Sequence, residues 1–185
     1  MPGDEYWGEP RDALPVSLVE VVAGGARRSF ELEQLLPGGD DPDRRGPIEE
    51  AIALRNAGQG VRAEALLEGL VEWDARCLDA HAHLGVLAFD RGEVGAAFAH
   101  YAAGVWVAEQ SLPEGFDGVL SWGWVDNRPF LRCLHGLMLS AWRLELREDS
   151  EELYWALLWL SPGDHLGATE LLPQIIAGEQ WTGGR

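Results

Sequence analysis

No lysine occurs in these 185 residues: all 14 basic side chains are arginine. That absence removes Schiff-base chemistry, a lysine general base and a phosphate-loop lysine. Basic charge is scarce as well. Thirty-one acidic residues leave a formal charge of −17 and a pI near 4.5. Nucleic acids and anionic membranes need a basic face, so neither is an expected partner. Cysteine is rare: Cys77 and Cys133 are too few for a disulfide scaffold and lie in apolar, helical-looking runs that suit buried free thiols. Charge or glycine interrupts every apolar stretch well short of the ~18 residues of a membrane span. The opening MPGDEYWGEPRD is polar and acidic, unlike a secretory signal. A reducing, cytoplasmic setting is the expectation.

Catalytic signatures are missing too. There is no G-x-S-x-G, no glycine-rich phosphate loop and no paired histidine–glutamate metal motif. Cys77, His81 and His83 form C-x3-H-x-H, but on a helix His83 is rotated about 160° from His81. No second Cys/His cluster offers a suitable ligand spacing, so no metal, cofactor or enzymatic activity is expected, and a metal-binding protein or enzyme resting on these histidines is the weakest alternative.

The chain does contain a 34-residue period. HLGVLAFDRGEVGAAFAHY carries Leu84-Gly85, Gly92, Ala97 and Tyr101. Thirty-four residues earlier stand Ala51, Gly58, Ala63 and Leu67. The same period lengthened by 19 residues carries Leu84 to Leu137, Ala97 to Ser150 and Tyr101 to Tyr154, before a stop at Pro162-Gly163-Asp164. Apolar residues in 131–146 recur at three- and four-residue steps, one face of a helix. Asp126 or Asn127 can cap that helix, with Pro129 in its first turn.

This pattern resembles the tetratricopeptide repeat family, whose unit is a 34-residue helix–turn–helix. The resemblance covers 44–77, 78–111 and 131–164 and implies an all-α fold of three helical hairpins. Small residues at 51, 85, 63, 97 and 150 match the places where paired helices cross, and let the axes approach to about 8 Å. Glu50, His81, Met138 and Glu145 depart from the family pattern, Glu145 standing at the usual turn glycine. A last amphipathic helix over 166–179, kinked or started by Pro173, is expected to cap the stack within a helical domain 47–185.

Family membership would imply a non-catalytic adaptor that grips a protein or peptide in a groove built from the first helix of each unit. Carried over residue by residue, the groove takes Arg45, Glu49, Ile52, Arg55 and Asn56 from the first unit. His83, Val86, Phe89 and Asp90 come from the second, and His135, Leu139, Trp142 and Arg143 from the third. The lysine–asparagine clamp for a peptide carboxylate found in some members is absent. The groove is apolar with arginines at its ends, suited to an amphipathic helix or to this chain's own N-terminal segment.

Two regions fall outside the repeats. In 1–46, PVSLVEVVAGGARRSFELEQLL reads as a β-hairpin about Ala23-Gly24-Gly25-Ala26, or as one helix and a loop, followed by a linker, GGDDPDRRGP. The insertion 112–130 is longer than a repeat turn and carries Phe116, Trp122, Trp124 and Arg128 as candidate contacts. Read as an extended run, it points Trp122 and Trp124 to one side, with Trp122 buried against the repeats and Trp124 nearer the rim. Nine tryptophans, with Trp142, Trp155 and Trp159 in the third unit, also support an alternative: a self-associating module that forms a homodimer through a tryptophan-rich face.

Overall fold

The computed structural model describes residues 16–22, 26–34 and 46–182. A two-stranded antiparallel hairpin, β1 (Val16–Val22) and β2 (Ser29–Gln34), precedes the helices. Six of the seven α-helices among the described residues form sequential pairs: α1 (Pro47–Asn56) with α2 (Gly60–Trp73), α3 (Leu78–Asp90) with α4 (Val94–Glu109), and α5 (Asn127–Arg143) with α6 (Arg147–Leu160). A 3-10 turn, Ala168–Glu170, and a short α7 (Leu172–Ala177) follow. Each helix of the six packs on its chain neighbour, and α3 also packs on α5. No described helix is long and apolar enough to cross a membrane.

The three hairpin turns are built alike, down to individual hydrogen bonds. Gly58, Gly92 and Glu145 each adopt a left-handed backbone, at φ 73°, 80° and 63°. In each turn that residue's N–H bonds the carbonyl three residues back, and the next N–H bonds the carbonyl five residues before itself. The pairs are Gly58–Arg55 with Gln59–Leu54, Gly92–Phe89 with Glu93–Ala88, and Glu145–Trp142 with Leu146–Ala141. This is the Schellman closure, which satisfies carbonyls a helix end leaves open. Glycine adopts it freely; glutamate does not. Glu145→Gly is therefore expected to stabilise the fold by about 1 kcal/mol, read as a raised urea midpoint. An unchanged or lowered midpoint would contradict the reading.

Small residues sit where the period places them. Ala51, Ala63, Ala97 and Ser150 are buried at the helix crossings, as is Met138, whose carbonyl accepts a 3.0 Å bond from Ser150 Oγ. The Tyr101 ring lies between α3 and α5, so close to Gly85 and Gly136 that a Cβ on either would run into it. The apolar interior forms two clusters, one within α1–α3 and a larger one joining α3–α7 to the hairpin.

Within the N-terminal segment, Val16–Val22 and Ser29–Gln34 form the expected hairpin, while residues 1–15 and 35–45, the rest of the segment expected as a possible filling of the groove, lie outside the described residues. Leu32 pairs with Leu18 across the strands and is fully buried. Asn127, also fully buried, ties β2 down: Leu32 N–H donates to its Oδ1 (2.8 Å), while its Nδ2 donates to the carbonyls of Phe30 (2.9 Å) and Ser121 (3.0 Å). Neither Asp126 nor Asn127 caps α5 through its side chain, because the Asn127 amide is engaged with the strand. Residues 23–25 of the expected turn, and the linker as far as Arg45, lie outside the described residues.

The insertion joins the same layer. Val119 N–H donates to Arg28 O and Phe30 N–H to Val119 O, both at 2.8 Å, so a short piece of 112–130 runs alongside β2. Arg27 donates to the carbonyls of Asp117, Gly118 and Trp159 and lies over the Trp159 ring at 3.8 Å. Beyond Leu120 the chain is not extended. It folds into successive turns, with Trp124 N–H on Ser121 O and Asn127 N–H on Trp124 O, so the two-residue alternation of an extended run does not apply to Trp122 and Trp124. The capping helix is also shorter than 166–179. Pro173 stands at its start, where a missing N–H costs nothing, and only Leu172–Ala177 is α-helical.

Candidate functional site

Apart from Arg45, the groove positions expected from the sequence lie on α1, α3 and α5, the first helices of the three pairs. Between α3 and α5 lies a cavity of about 220 Å³. Val86, Phe89, Leu139 and Leu166 give it apolar walls, and Tyr101 and Gly136 line it between the helices. Asp90, Arg132 and His135 supply its polar groups. A narrower cleft between α1 and α3 is lined by Ile52, Arg55, His83 and Leu87. Asp79 connects the two: its Oδ1 stands 3.6 Å from His83 Nε2 and 3.6 Å from Arg132 Nη1.

Those distances are too long for hydrogen bonds. Asp79 Oδ1, His83 Nε2 and His135 Nε2 are all buried without a hydrogen-bond partner among the described residues. Such atoms are rare in folded proteins, because each forfeits its hydration for nothing. Burial raises the Asp79 carboxyl to about 6, against the pull of Arg132. Burial lowers His83 to about 4, reinforced by Arg132 and Arg55, and lowers His135 to about 4. At neutral pH Asp79 is ionised while both imidazoles are neutral, each with one N–H and one lone pair. His83 and Asp79 are therefore not an ion pair: by the pH at which His83 gains its proton, Asp79 has gained one too.

The arrangement is suited to hydrogen-bonding a ligand over an apolar floor. Cys77 and Cys133 are buried with their thiols pushed up by desolvation, Cys77 to about 12, so neither is a ready thiolate. Cys77, His81 and His83 do not converge, for His81 Nε2 is bonded to Ala75 O at 2.8 Å while His83 faces Asp79.

The other groove positions divide. Glu49 and Asn56 are exposed on α1, and Arg45 lies outside the described residues. Trp142 is buried by the chain itself. Its Nε1 donates to Glu179 O (2.8 Å), and its ring meets Trp181 edge to face, with centroids 5.0 Å apart. Trp181 also meets Phe89 at 5.7 Å, and Arg143 lies over Phe89 at 5.1 Å. The C-terminal segment, through Trp181, thus closes the third-unit end of the groove. In the insertion, Phe116 packs on Phe30 at 5.3 Å. Trp122 is half-buried beneath Arg128 and Arg132, and Trp124 is 37% exposed. Arg132 and Leu166 complete the lining of the larger cavity, and Asp79 stands beside Arg132 and His83; Asp79 and Arg132 share the groove register, whereas nothing in the sequence around Leu166 marks it as lining.

No family model, curated protein or solved structure matches this chain. The functional reading therefore stands on the repeat geometry and on the groove's unpartnered polar atoms.

Proposed function

We propose that the chain is a non-catalytic adaptor of tetratricopeptide type that takes a peptide segment of another protein between α1, α3 and α5. The repeated turn supports the family reading: Gly58, Gly92 and Glu145 close three hairpins with one hydrogen-bond pattern. One observation carries the binding reading. Asp79 Oδ1, His83 Nε2 and His135 Nε2 are buried without partners along one face, beside the apolar cavity at Val86, Phe89 and Leu139. A peptide offers both complements, amide donors and carbonyl acceptors for the polar atoms and a side chain for the cavity. The charge of −17 opposes self-association, which favours this reading over the homodimer.

The test is selection of a random peptide library on the immobilised protein, with the selected peptides then measured against variants. Val86→Glu is expected to weaken the groove-bound peptides at least ~10-fold, about 1.4 kcal/mol. Trp106→Ala, outside the groove, should leave them unchanged. A library whose binders are all indifferent to Val86→Glu, or one yielding no binders, would overturn the proposal.

A further inference from the structure

A second cavity opens on a different face of α5, between α4 and α6. It encloses about 470 Å³, within the range of pockets that hold ligands. Buried Leu134 and Leu137 of α5 form its floor, and Phe98 of α4 with Leu153 and Ala156 of α6 form its sides. Glu109, Asp149 and Glu152 complete the lining, and no basic residue takes part. None of these three carboxylates forms an ion pair among the described residues. The result is an apolar trough with a rim of one sign.

We infer that this trough is a second docking surface, and that its occupant is an amphipathic helix of another protein with basic residues flanking its apolar stripe. Charge complementarity selects that occupant. A second copy of this chain carries −17 and no lysine. The chain's own first 15 residues hold four acids and one arginine. Both would bring negative charge to a negative rim, which costs binding rather than supporting it. The trough lies between two helices over a third, so an incoming helix can lay side chains at i, i+3 or i+4, and i+7 onto Leu134 and Leu137. Such a surface would let the molecule hold two partners at once, one on each face of α5.

The probe is a synthetic helical peptide of about four turns, with leucine at the i, i+4 and i+7 positions and arginine along both flanks. Its binding to the full chain is read by fluorescence anisotropy, beside a peptide with glutamate in place of arginine. The arginine peptide is expected to bind at micromolar concentration and the glutamate peptide not to bind. Asp149→Arg with Glu152→Arg should weaken binding at least ~10-fold. So should Ala156→Trp, which plugs the trough from an exposed position. Glu68→Arg with Glu72→Arg makes the same change in net charge on exposed α2 positions and should leave affinity within about twofold. Absence of binding, equal loss from both charge reversals, or undiminished binding to Ala156→Trp would each overturn the inference. Val86→Glu leaves this surface intact, so failure here and failure of the groove are told apart.

Discussion

Asn127→Ala is expected to cost roughly 3–6 kcal/mol and to release the N-terminal hairpin from the helices. The side chain is fully buried and serves three main-chain groups: the N–H of Leu32 and the carbonyls of Phe30 and Ser121. Alanine leaves all three without their partner in a space too apolar to hydrate them. Each orphaned group costs about 1–3 kcal/mol, and relaxation of the strand recovers part of the sum. Asn127→Asp is expected to be nearly as harmful, because it keeps the acceptor for Leu32 but loses both donated bonds and buries a charge. Urea unfolding gives the magnitude, and hydrogen exchange at the Leu32 amide reports the release. A loss under ~1 kcal/mol with Leu32 still protected would show that packing and the Val119 and Arg27 bonds hold the hairpin without Asn127.

Two glycine substitutions of identical chemistry should differ in sign. Gly136→Ala is expected to destabilise by about 2–4 kcal/mol, since its Cβ meets the face of the Tyr101 ring and Gly85 blocks the ring's retreat on the other side. Gly69→Ala, in α2 with nothing within 4 Å of the added carbon, is expected to stabilise by roughly 0.5–1 kcal/mol through helix propensity alone. Shrinking the wedge tests the cause. Adding Tyr101→Leu to Gly136→Ala should cost less than the two single losses summed, because the clash is gone. Simple additivity in that double-mutant cycle would place the cost elsewhere.

The helical pairs were legible because their requirements fall on residue types. A left-handed turn asks for glycine and two provide it; close helix crossings ask for small side chains, and Ala51, Ala63, Ala97 and Ser150 comply. Glu145 breaks the turn's sequence pattern yet adopts its geometry, because the surrounding helices impose it. The link between hairpin and insertion was illegible. Val119 pairs with Arg28 and Phe30 through main-chain atoms, and Arg27 reaches three carbonyls; neither arrangement asks for a particular residue at the receiving end. The extended reading of Trp122 and Trp124 failed for a related reason: in a short run, hydrogen bonds such as Trp124 N–H to Ser121 O decide between turn and strand. Within the groove, Val86, Phe89, Asp90, His135 and Leu139 share one cavity because each follows from helix register. Closure of its far end by Trp181 depends on where a short tail turns back, which register does not encode.

On the proposed function, a bound peptide supplies the missing partners of the groove's buried polar atoms. Nitrogen NMR of the imidazoles reports on them directly, during titration of a library-selected peptide into the labelled full chain at neutral pH. The Nε2 resonances of His83 and His135 are expected to move together with a single midpoint, as both nitrogens gain hydrogen-bond partners, while His81, already bonded to Ala75 O, stays in place. Saturating peptide that leaves both His83 and His135 unmoved would contradict the groove as the binding site.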